Sequence, residues 1–266
     1  MANVVLIPCV KLKKKDFGTD YSNWENLADS GFIAWKSAVN FVESADSVIL
    51  QHLFLEIKTH QNLERAILSK CIELHDLGHS ILLLEADTIC VKPVNLFNSG
   101  LSKMTLFAFV GAEDDEEIPE RFNLNSGVVY WPSQQRQVRE VLSDAISAEW
   151  PNKWAYFQVI WNRAFYSQFE SKESGKNYVE GLKSGMYNYF HSPEAIPGMN
   201  SCKIEDAAIL HLFTSRSVRN ARRTAILTYR FNLRGYKAGL FIVKIGKVLV
   251  KQKLVNKFRN YLRQRT

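Results

Sequence analysis

Signals that would mark a secreted, membrane-spanning or disulfide-stapled protein are missing from this chain of 266 residues. It has four cysteines and no CxxC pair, which is neither a zinc-site spacing nor a compact disulfide framework. No apolar run reaches the ~20 residues of a membrane-spanning helix. The basic run Lys11–Lys15 follows the first apolar segment, which is the reverse of a signal peptide. We therefore expect a reducing, cytoplasmic location.

Acidic residues are missing from the C-terminal part of the chain. Residues 207–266 contain 15 Lys or Arg and no Asp or Glu, a charge of +15. Residues 1–206 contain 19 bases and 27 acids, a charge of −8, and the whole chain carries +7. An acidic body followed by a strongly basic region predicts that this region meets an anionic partner.

The pattern within the basic region allows two interpretations. Leu249–Arg265 places apolar residues on one helical stripe with basic residues around it, which is typical of a helix on an anionic membrane surface. A helix packed on the body with a basic outer face fits as well. Nucleic acid is disfavoured because no nucleic-acid motif accompanies the charge. Gly239–Val250, just before this stripe, has the composition of a strand.

Strand and helix patterns alternate through about the first 170 residues. Apolar runs predict strands at Val4–Pro8, Ser47–Leu50, Ile81–Leu84, Thr105–Val110 and Gly127–Trp131. Helical spacing predicts helices at Phe32–Val42, Leu63–Leu74 with Gly78 as its end, Val138–Ala148 and Trp154–Phe169. The alternation indicates an α/β fold with a mixed, mostly parallel sheet flanked by helices. Ligands of such sheets bind beyond the carboxyl ends of the strands.

Two carboxylates, Glu85 and Asp87, follow the fully apolar run Ile81–Leu84 and are separated only by Ala86. Hard divalent cations bind oxygen ligands, and a diphosphate supplies more of them, so this pair is suited to a metal–diphosphate site. Taken alone, the pair fits a local cap at Glu85 and a turn at Asp87 better than a metal site.

The surrounding sequence favours the metal site. Ile81–Phe97 resembles the metal-binding segment of GT-A-fold glycosyltransferases, above all the glycogenin-like retaining family: apolar strand, DxD, Thr, apolar pair, Lys-Pro, Leu-Phe. Glu85 takes the place of the first Asp of that DxD. Three further segments follow in the family's order, similar to its Phe-Asn-Ser-Gly-Val, Asp-Gln-x-x-Leu-Asn and His-Phe-x-Gly motifs: Phe122–Tyr130, Phe157–Asn162 and Ile209–Arg216. Phe157 replaces the Asp of the second of these motifs, which removes a sugar-binding carboxylate.

The resemblance implies a metal-dependent glycosyltransferase that takes a sugar from UDP with retention of configuration. The implied ligands of Mn²⁺, or Mg²⁺, are Glu85, Asp87 and His211. The implied donor-sugar and catalytic contacts are Asp114, Asn125 and Gln158. The implied nucleotide and diphosphate contacts are Pro8, Ala86 and Gly127. Arg216 is the nearest cation that could offset the charge of the diphosphate, and Arg65 or Lys70 could also reach a phosphate. Plainer interpretations exist for three of these positions: a solvated helix face for Arg65, a solvated acidic loop for Asp114 and a core histidine for His211.

The predicted organisation is a catalytic domain at 1–215 and a basic extension at 216–266, packed on the domain or facing a membrane. The acceptor stays open among a glycan, a lipid-linked sugar and a protein. Two other functions stay open as well: a sugar-nucleotide hydrolase, and a non-catalytic protein that binds nucleotide-sugar or nucleic acid. The substitutions at Glu85 and Phe157 are what keep the non-catalytic alternative open.

Overall fold

A computed structural model describes most of the elements that surround the predicted site. The described residues are 3–12, 33–40, 48–57, 60–86, 88–94, 105–106, 127–133, 135–149, 160, 163–165, 167–168, 189–190, 203–211, 224–231, 234–235, 237–239, 241, 245 and 252. The strands are β1 (Asn3–Leu12), β2 (Val48–Ile57), β3 (Ser80–Leu84), β4 (Thr88–Cys90), β5 (Thr105–Leu106), β6 (Val128–Trp131), β7 (Tyr189–Phe190) and β8 (Ile209–His211). The helices are α1 (33–40), α2 (His60–Asp76), α3 (Arg136–Ser147) and α4 (224–231), with a 3₁₀ turn at Ile204–Asp206.

The strands form two sheets. The central sheet has the order β2-β1-β3-β6-β5, in which β1 is parallel to β2 and β3 while β6 is antiparallel to β3 and β5. A smaller sheet has the order β4-β8-β7, with β8 antiparallel to β4 and parallel to β7. The predicted α/β class with a mixed sheet is confirmed. Antiparallel pairings are as frequent as parallel ones among the described strands, because β6 enters the central sheet from the opposite end.

Side chains of the central strands alternate between two buried faces, as the period of two requires. The scaffold face carries Val4, Leu6, Ile81, Leu83, Val129 and Trp131, which pack on α2, α3 and the helical residues 160 and 163–165. The site face carries Val5, Ile7, Leu82, Leu84, Val128 and Tyr130, which pack on α1, β4, β8 and Ala225 of α4. Burial on both faces explains why Ile81–Leu84 is apolar at every position.

Helix α2 ends where its sequence predicts. Gly78 has a φ of 80°, a conformation that side chains with a Cβ rarely adopt. The backbone N–H of Gly78 donates to the carbonyl of His75 at 2.8 Å, and that of His79 donates to Leu74 at 3.0 Å. These two bonds satisfy carbonyls at the end of the helix and turn the chain directly into β3.

The strand predicted at Gly239–Val250 is wrong at each of its described positions, since Gly239, Phe241 and Ile245 are helical. We call the described helical residues 234–235, 237–239, 241 and 245 the second arm, in which Gly235 and Gly239 lie against Leu227 and Thr224 of α4 in antiparallel order. A Cβ atom added to Gly235 would overlap the carbonyl oxygen of Leu227, and one added to Gly239 would lie 2.8 Å from Thr224 Oγ1. Close packing of two helices has overridden the β-branched composition of this segment.

Two other predicted helices can be compared with the structure at some of their positions. The described residues 160, 163–165 and 167 are helical, in agreement with the helix predicted at Trp154–Phe169. Of Leu249–Arg265 only position 252 is described, and it is helical. None of the described helices is long and apolar enough to cross a bilayer.

Candidate functional site

Three predicted site residues lie side by side where β3 ends. β1 and β3 are parallel with Leu6 opposite Leu83, so Pro8 lies beside Glu85 at a point where β1 continues to Leu12. The backbone N–H of Glu85 donates to the carbonyl of Gly127 at 2.9 Å, which places Gly127 on the other side of Glu85. The carboxyl end of β3 thus meets the amino end of β6, which is where α/β sheets bind ligands.

A tight turn follows Glu85 and leads into the smaller sheet. Both the backbone N–H and the Oγ1 hydroxyl of Thr88 donate to the carbonyl oxygen of Glu85, at 3.1 and 2.7 Å. Ala86 is buried within this turn. These bonds fix Thr88 against the main-chain oxygen of Glu85, while Asp87, where the sequence allows a local turn, lies outside the described residues.

The smaller sheet brings His211 beside Glu85. β4 and β8 are antiparallel with Thr88 directly opposite His211. The imidazole of His211 is 2% exposed, and its Nε2 atom lies 3.7 Å from Oε2 of Glu85, whose side chain is one-third exposed. Residues far apart in the chain therefore present a nitrogen and an oxygen donor to one small volume.

The Glu85–His211 geometry fits a shared divalent metal. Two atoms bound to one such ion at about 2.1 Å each lie about 3–4 Å apart, and the observed separation falls in this range. A carboxylate with an imidazole is an acceptable donor set for Mn²⁺. The third predicted ligand, Asp87, lies outside the described residues. Within the described part of the chain, no cluster of three or more His, Cys, Asp or Glu suited to a metal occurs.

Another acid near Glu85 is Glu64 of α2, which the sequence does not identify as a site residue. Burial raises the pKa of the Glu64 carboxyl well above its ordinary value, and the negative charge of Glu85 raises this pKa further. In the sequence Glu64 is one of several acids on an amphipathic helix, and nothing in the spacing separates it from solvent-facing ones. Only the packing of α2 against the sheet places it near the site.

Arg65, the neighbour of Glu64, contacts another helix. Its Nη2 donates to the carbonyl oxygen of Ala148, which caps the C-terminal end of α3, at 3.1 Å. This bond ties α2 to α3 on the scaffold face. Arg65 therefore has a structural role, because it connects two helices. Its predicted contact with a phosphate stays a prediction.

The eleven predicted site residues thus fall into three groups. Five come together where β3 ends and at the adjoining turn: Pro8, Glu85, Ala86, Gly127 and His211. Arg65 lies between two helices. Five lie outside the described residues: Asp87, Asp114, Asn125, Gln158 and Arg216.

Comparison with known proteins supports the fold at low sequence identity. No protein-family model and no curated protein sequence matches the chain. A solved glycosyltransferase involved in glycosylation of the major capsid of PBCV-1 is similar with a TM-score of 0.50 and 13% identity, over 84% of this chain and 98% of that one. The bifunctional glycosyltransferase WbbM is similar with a TM-score of 0.49 and 12% identity, over 89% of this chain and 51% of that one. The chain spans about half the length of WbbM.

A third similar structure is mouse xyloside xylosyltransferase 1, with a TM-score of 0.46 and 9% identity over 79% of this chain and 97% of that one. The fold shared with the capsid-modifying enzyme is a GT-A-like glycosyltransferase fold. The resemblance seen in the sequence is therefore confirmed at the level of the fold.

Proposed function

We propose that this protein is a metal-dependent glycosyltransferase that moves a sugar from a UDP-sugar to an acceptor with retention of configuration. The observation that carries the proposal is the approach of Glu85 and His211 to 3.7 Å at the ligand-binding edge of the sheet. The proposal is supported by the glycosyltransferase fold and by the order of the sequence motifs.

Glu85 and His211, together with Asp87, would hold Mn²⁺ or Mg²⁺. When bound, such an ion supplies Lewis-acid stabilisation of the diphosphate that leaves. Burial of His211 limits its motion, because a side chain packed between strands has few accessible rotamers. The Thr88 bonds to the carbonyl oxygen of Glu85 hold the backbone from which the carboxylate projects.

The remaining residues bind and orient the donor. Pro8 and Gly127 flank Glu85 in the same row and would form the floor beneath the nucleotide. Asn125, Gln158 and Asp114 would orient the sugar hydroxyls, and Arg216 would offset charge on the diphosphate. In the retaining reaction the bond from the anomeric carbon to the diphosphate oxygen breaks, the bond to the acceptor oxygen forms, and the acceptor's proton passes to the departing phosphate. Orientation of the donor is the contribution of these side chains.

The first test is calorimetric titration of UDP with and without Mn²⁺. We expect the native chain to bind UDP only with Mn²⁺, and Glu85→Gln and Asp87→Ala to weaken this binding at least about tenfold. A matched control is Glu140→Gln, which removes a carboxylate that pairs with Arg136 on the surface of α3. It should bind UDP like the native chain. Metal-independent UDP binding, or none, by the folded native chain would refute the metal–diphosphate site.

Turnover then separates the proposed transferase from a hydrolase. A panel of UDP-sugars is screened for UDP release, with and without glycan, lipid-linked and protein acceptors. Release that depends on an acceptor supports transfer, and release that is equally fast in water alone identifies a sugar-nucleotide hydrolase. If UDP binds with Mn²⁺ but no sugar is released from any donor, the non-catalytic alternative is favoured.

A further inference from the structure

Large apolar side chains are exposed on the helical hairpin formed by α4 and the second arm. Four of the six large apolar residues exposed among the described residues lie there, at 37–64% exposure: Tyr229, Phe231, Phe241 and Ile245. Single exposed apolar residues are ordinary, but a group of them on one small element marks an interaction surface.

The exposed residues of the second arm share one side of the helix. Arg234, Phe241 and Ile245 are separated by seven and four positions, so they lie above one another on a helix. Gly235 and Gly239 are buried and face α4. The arm therefore packs its glycines inward and turns Arg234, Phe241 and Ile245 outward. We call this set the outer face, and Phe231 and Arg230, which are exposed at the end of α4, lie close to Arg234 in the chain.

The charged residues described on the hairpin itself are basic. Arg230 and Arg234 are exposed, and no acidic residue occurs anywhere in residues 207–266. Within the described residues, Glu205 contacts the hairpin, and its Oε1 accepts from Lys237 Nζ at 2.7 Å. Glu205 belongs to the 3₁₀ turn that leads into β8, and its backbone carbonyl also accepts from Lys92 Nζ. These contacts join the hairpin to the strands that carry the candidate site.

We propose that the outer face docks on an anionic lipid surface. Phe231, Phe241 and Ile245 enter the boundary between headgroups and acyl chains, while Arg230 and Arg234 lie at the lipid phosphates. Interleaved apolar and basic side chains are the pattern that an anionic bilayer binds. A nucleic acid would bind the positive charge, but an exposed isoleucine adds nothing to that binding. A dimer formed through this face is disfavoured because two copies of a region of charge +15 repel each other.

The test is co-sedimentation of the full chain with vesicles of phosphatidylcholine alone and of phosphatidylcholine with about one-third phosphatidylserine. We expect binding to the anionic vesicles that weakens with salt. The double variant Phe241→Ser with Ile245→Ser should bind at least about tenfold more weakly. The matched control, Val39→Ser with Leu77→Ser, removes two exposed apolar residues elsewhere and should bind like the native chain. Thermal unfolding checks that every variant is folded.

Three results would overturn the docking proposal. The first is failure of the native chain to bind anionic vesicles, or equal binding by the Phe241/Ile245 variant. The second is tighter binding to a single-stranded oligonucleotide than to the vesicles, measured by fluorescence anisotropy. The third is a dimer in light scattering that the Phe241/Ile245 variant converts to a monomer. UDP binding of this variant is measured alongside, so failure of lipid binding is distinguishable from failure of the sugar site.

Discussion

The two faces of the central sheet are built from different chemistry. The scaffold face packs on α2 and α3 through an almost wholly apolar cluster. The site face packs on α1, β4, β8 and α4, and these elements bury five polar side chains: Ser37, Thr88, His211, Thr224 and Thr228.

Three of these polar side chains, those of Ser37, Thr88 and Thr228, have defined hydrogen-bond partners. Ser37 Oγ accepts from the backbone N–H of Cys90 at 3.0 Å and donates to the carbonyl of Ala34 at 2.6 Å. Thr228 Oγ1 donates to the carbonyl of Thr224 at 2.6 Å. Hydrogen bonds of this kind fix one arrangement of the elements because any shift leaves a buried group unpaired. The comparison teaches that both faces bury a large apolar cluster, and that the site face adds buried hydrogen bonds that fix the position of its elements.

The largest expected effect separates activity from stability on the site face. His211→Asn keeps a polar side chain but removes the imidazole nitrogen, and we expect turnover of the UDP-sugar with Mn²⁺ to fall at least about 100-fold. A metal acting on the leaving group stabilises the transition state by several kcal/mol, and each 1.4 kcal/mol is about tenfold in rate. Rates of UDP release measure this. A folded variant with native turnover would remove His211 from the site.

A matching change on the scaffold face should lower the stability of the protein and leave its binding of UDP unchanged. Leu142→Ala removes a fully buried side chain of α3, and we expect the free energy of unfolding to fall by about 2–5 kcal/mol. Urea titration measures this free energy, and calorimetry of UDP with Mn²⁺ should give the native affinity. A loss of UDP affinity without loss of stability would show that the two faces are not separable in function.

A pair of glycines tests how the hairpin packs on the site face. Gly235→Ala brings a methyl group against the backbone carbonyl of Leu227, whereas Gly239→Ala brings one against the side chain of Thr224. We expect a loss of about 1–3 kcal/mol in unfolding free energy for Gly235→Ala and a smaller loss for Gly239→Ala. The reason is that a backbone gives way less readily than a hydroxyl side chain. Equal losses in urea titration would contradict the antiparallel packing.

The smallest expected effect is a pH dependence on the scaffold face. Burial lowers the pKa of His75 below 6.5, and this outweighs the opposing effects of Asp76 and of the Pro132 backbone. The unfolded chain then takes up a proton more readily, so His75 should make the protein less stable as the pH falls from about 7 through 6.5. His75→Gln should flatten this part of the profile in urea titrations at several pH values. A variant whose stability falls as steeply with acid as the native chain's would rule out His75 as the cause.

Local pattern was sufficient for the elements that form the centre of the fold. The run Ile81–Leu84 predicts β3 because a strand buried on both faces is apolar at every position. Gly78 predicts the end of α2 because a positive φ favours glycine. The resemblance of the motifs to glycosyltransferase segments implies the GT-A-like fold and implies Glu85 and His211 as ligands of one metal.

Features that depend on contacts distant in the chain could not be predicted. Gly239, Phe241 and Ile245 are helical despite the strand composition of their segment, and Gly239 packs closely on Thr224 of α4. Arg65 contacts Ala148 rather than standing on an open helix face, because α3 packs beside α2. Glu64 becomes part of the site's electrostatics only through the burial of α2 against the sheet.

What the sequence determined by itself is the set of elements and the candidate donors, since periodicity and residue chemistry are local properties of a chain. What only the tertiary structure decided is which of these donors meet. β4 and β8 become neighbours in the smaller sheet, and that pairing places an imidazole 3.7 Å from a carboxylate. The physical reason is that strand pairing joins residues distant in sequence, and no local preference encodes the partner that a strand edge will find.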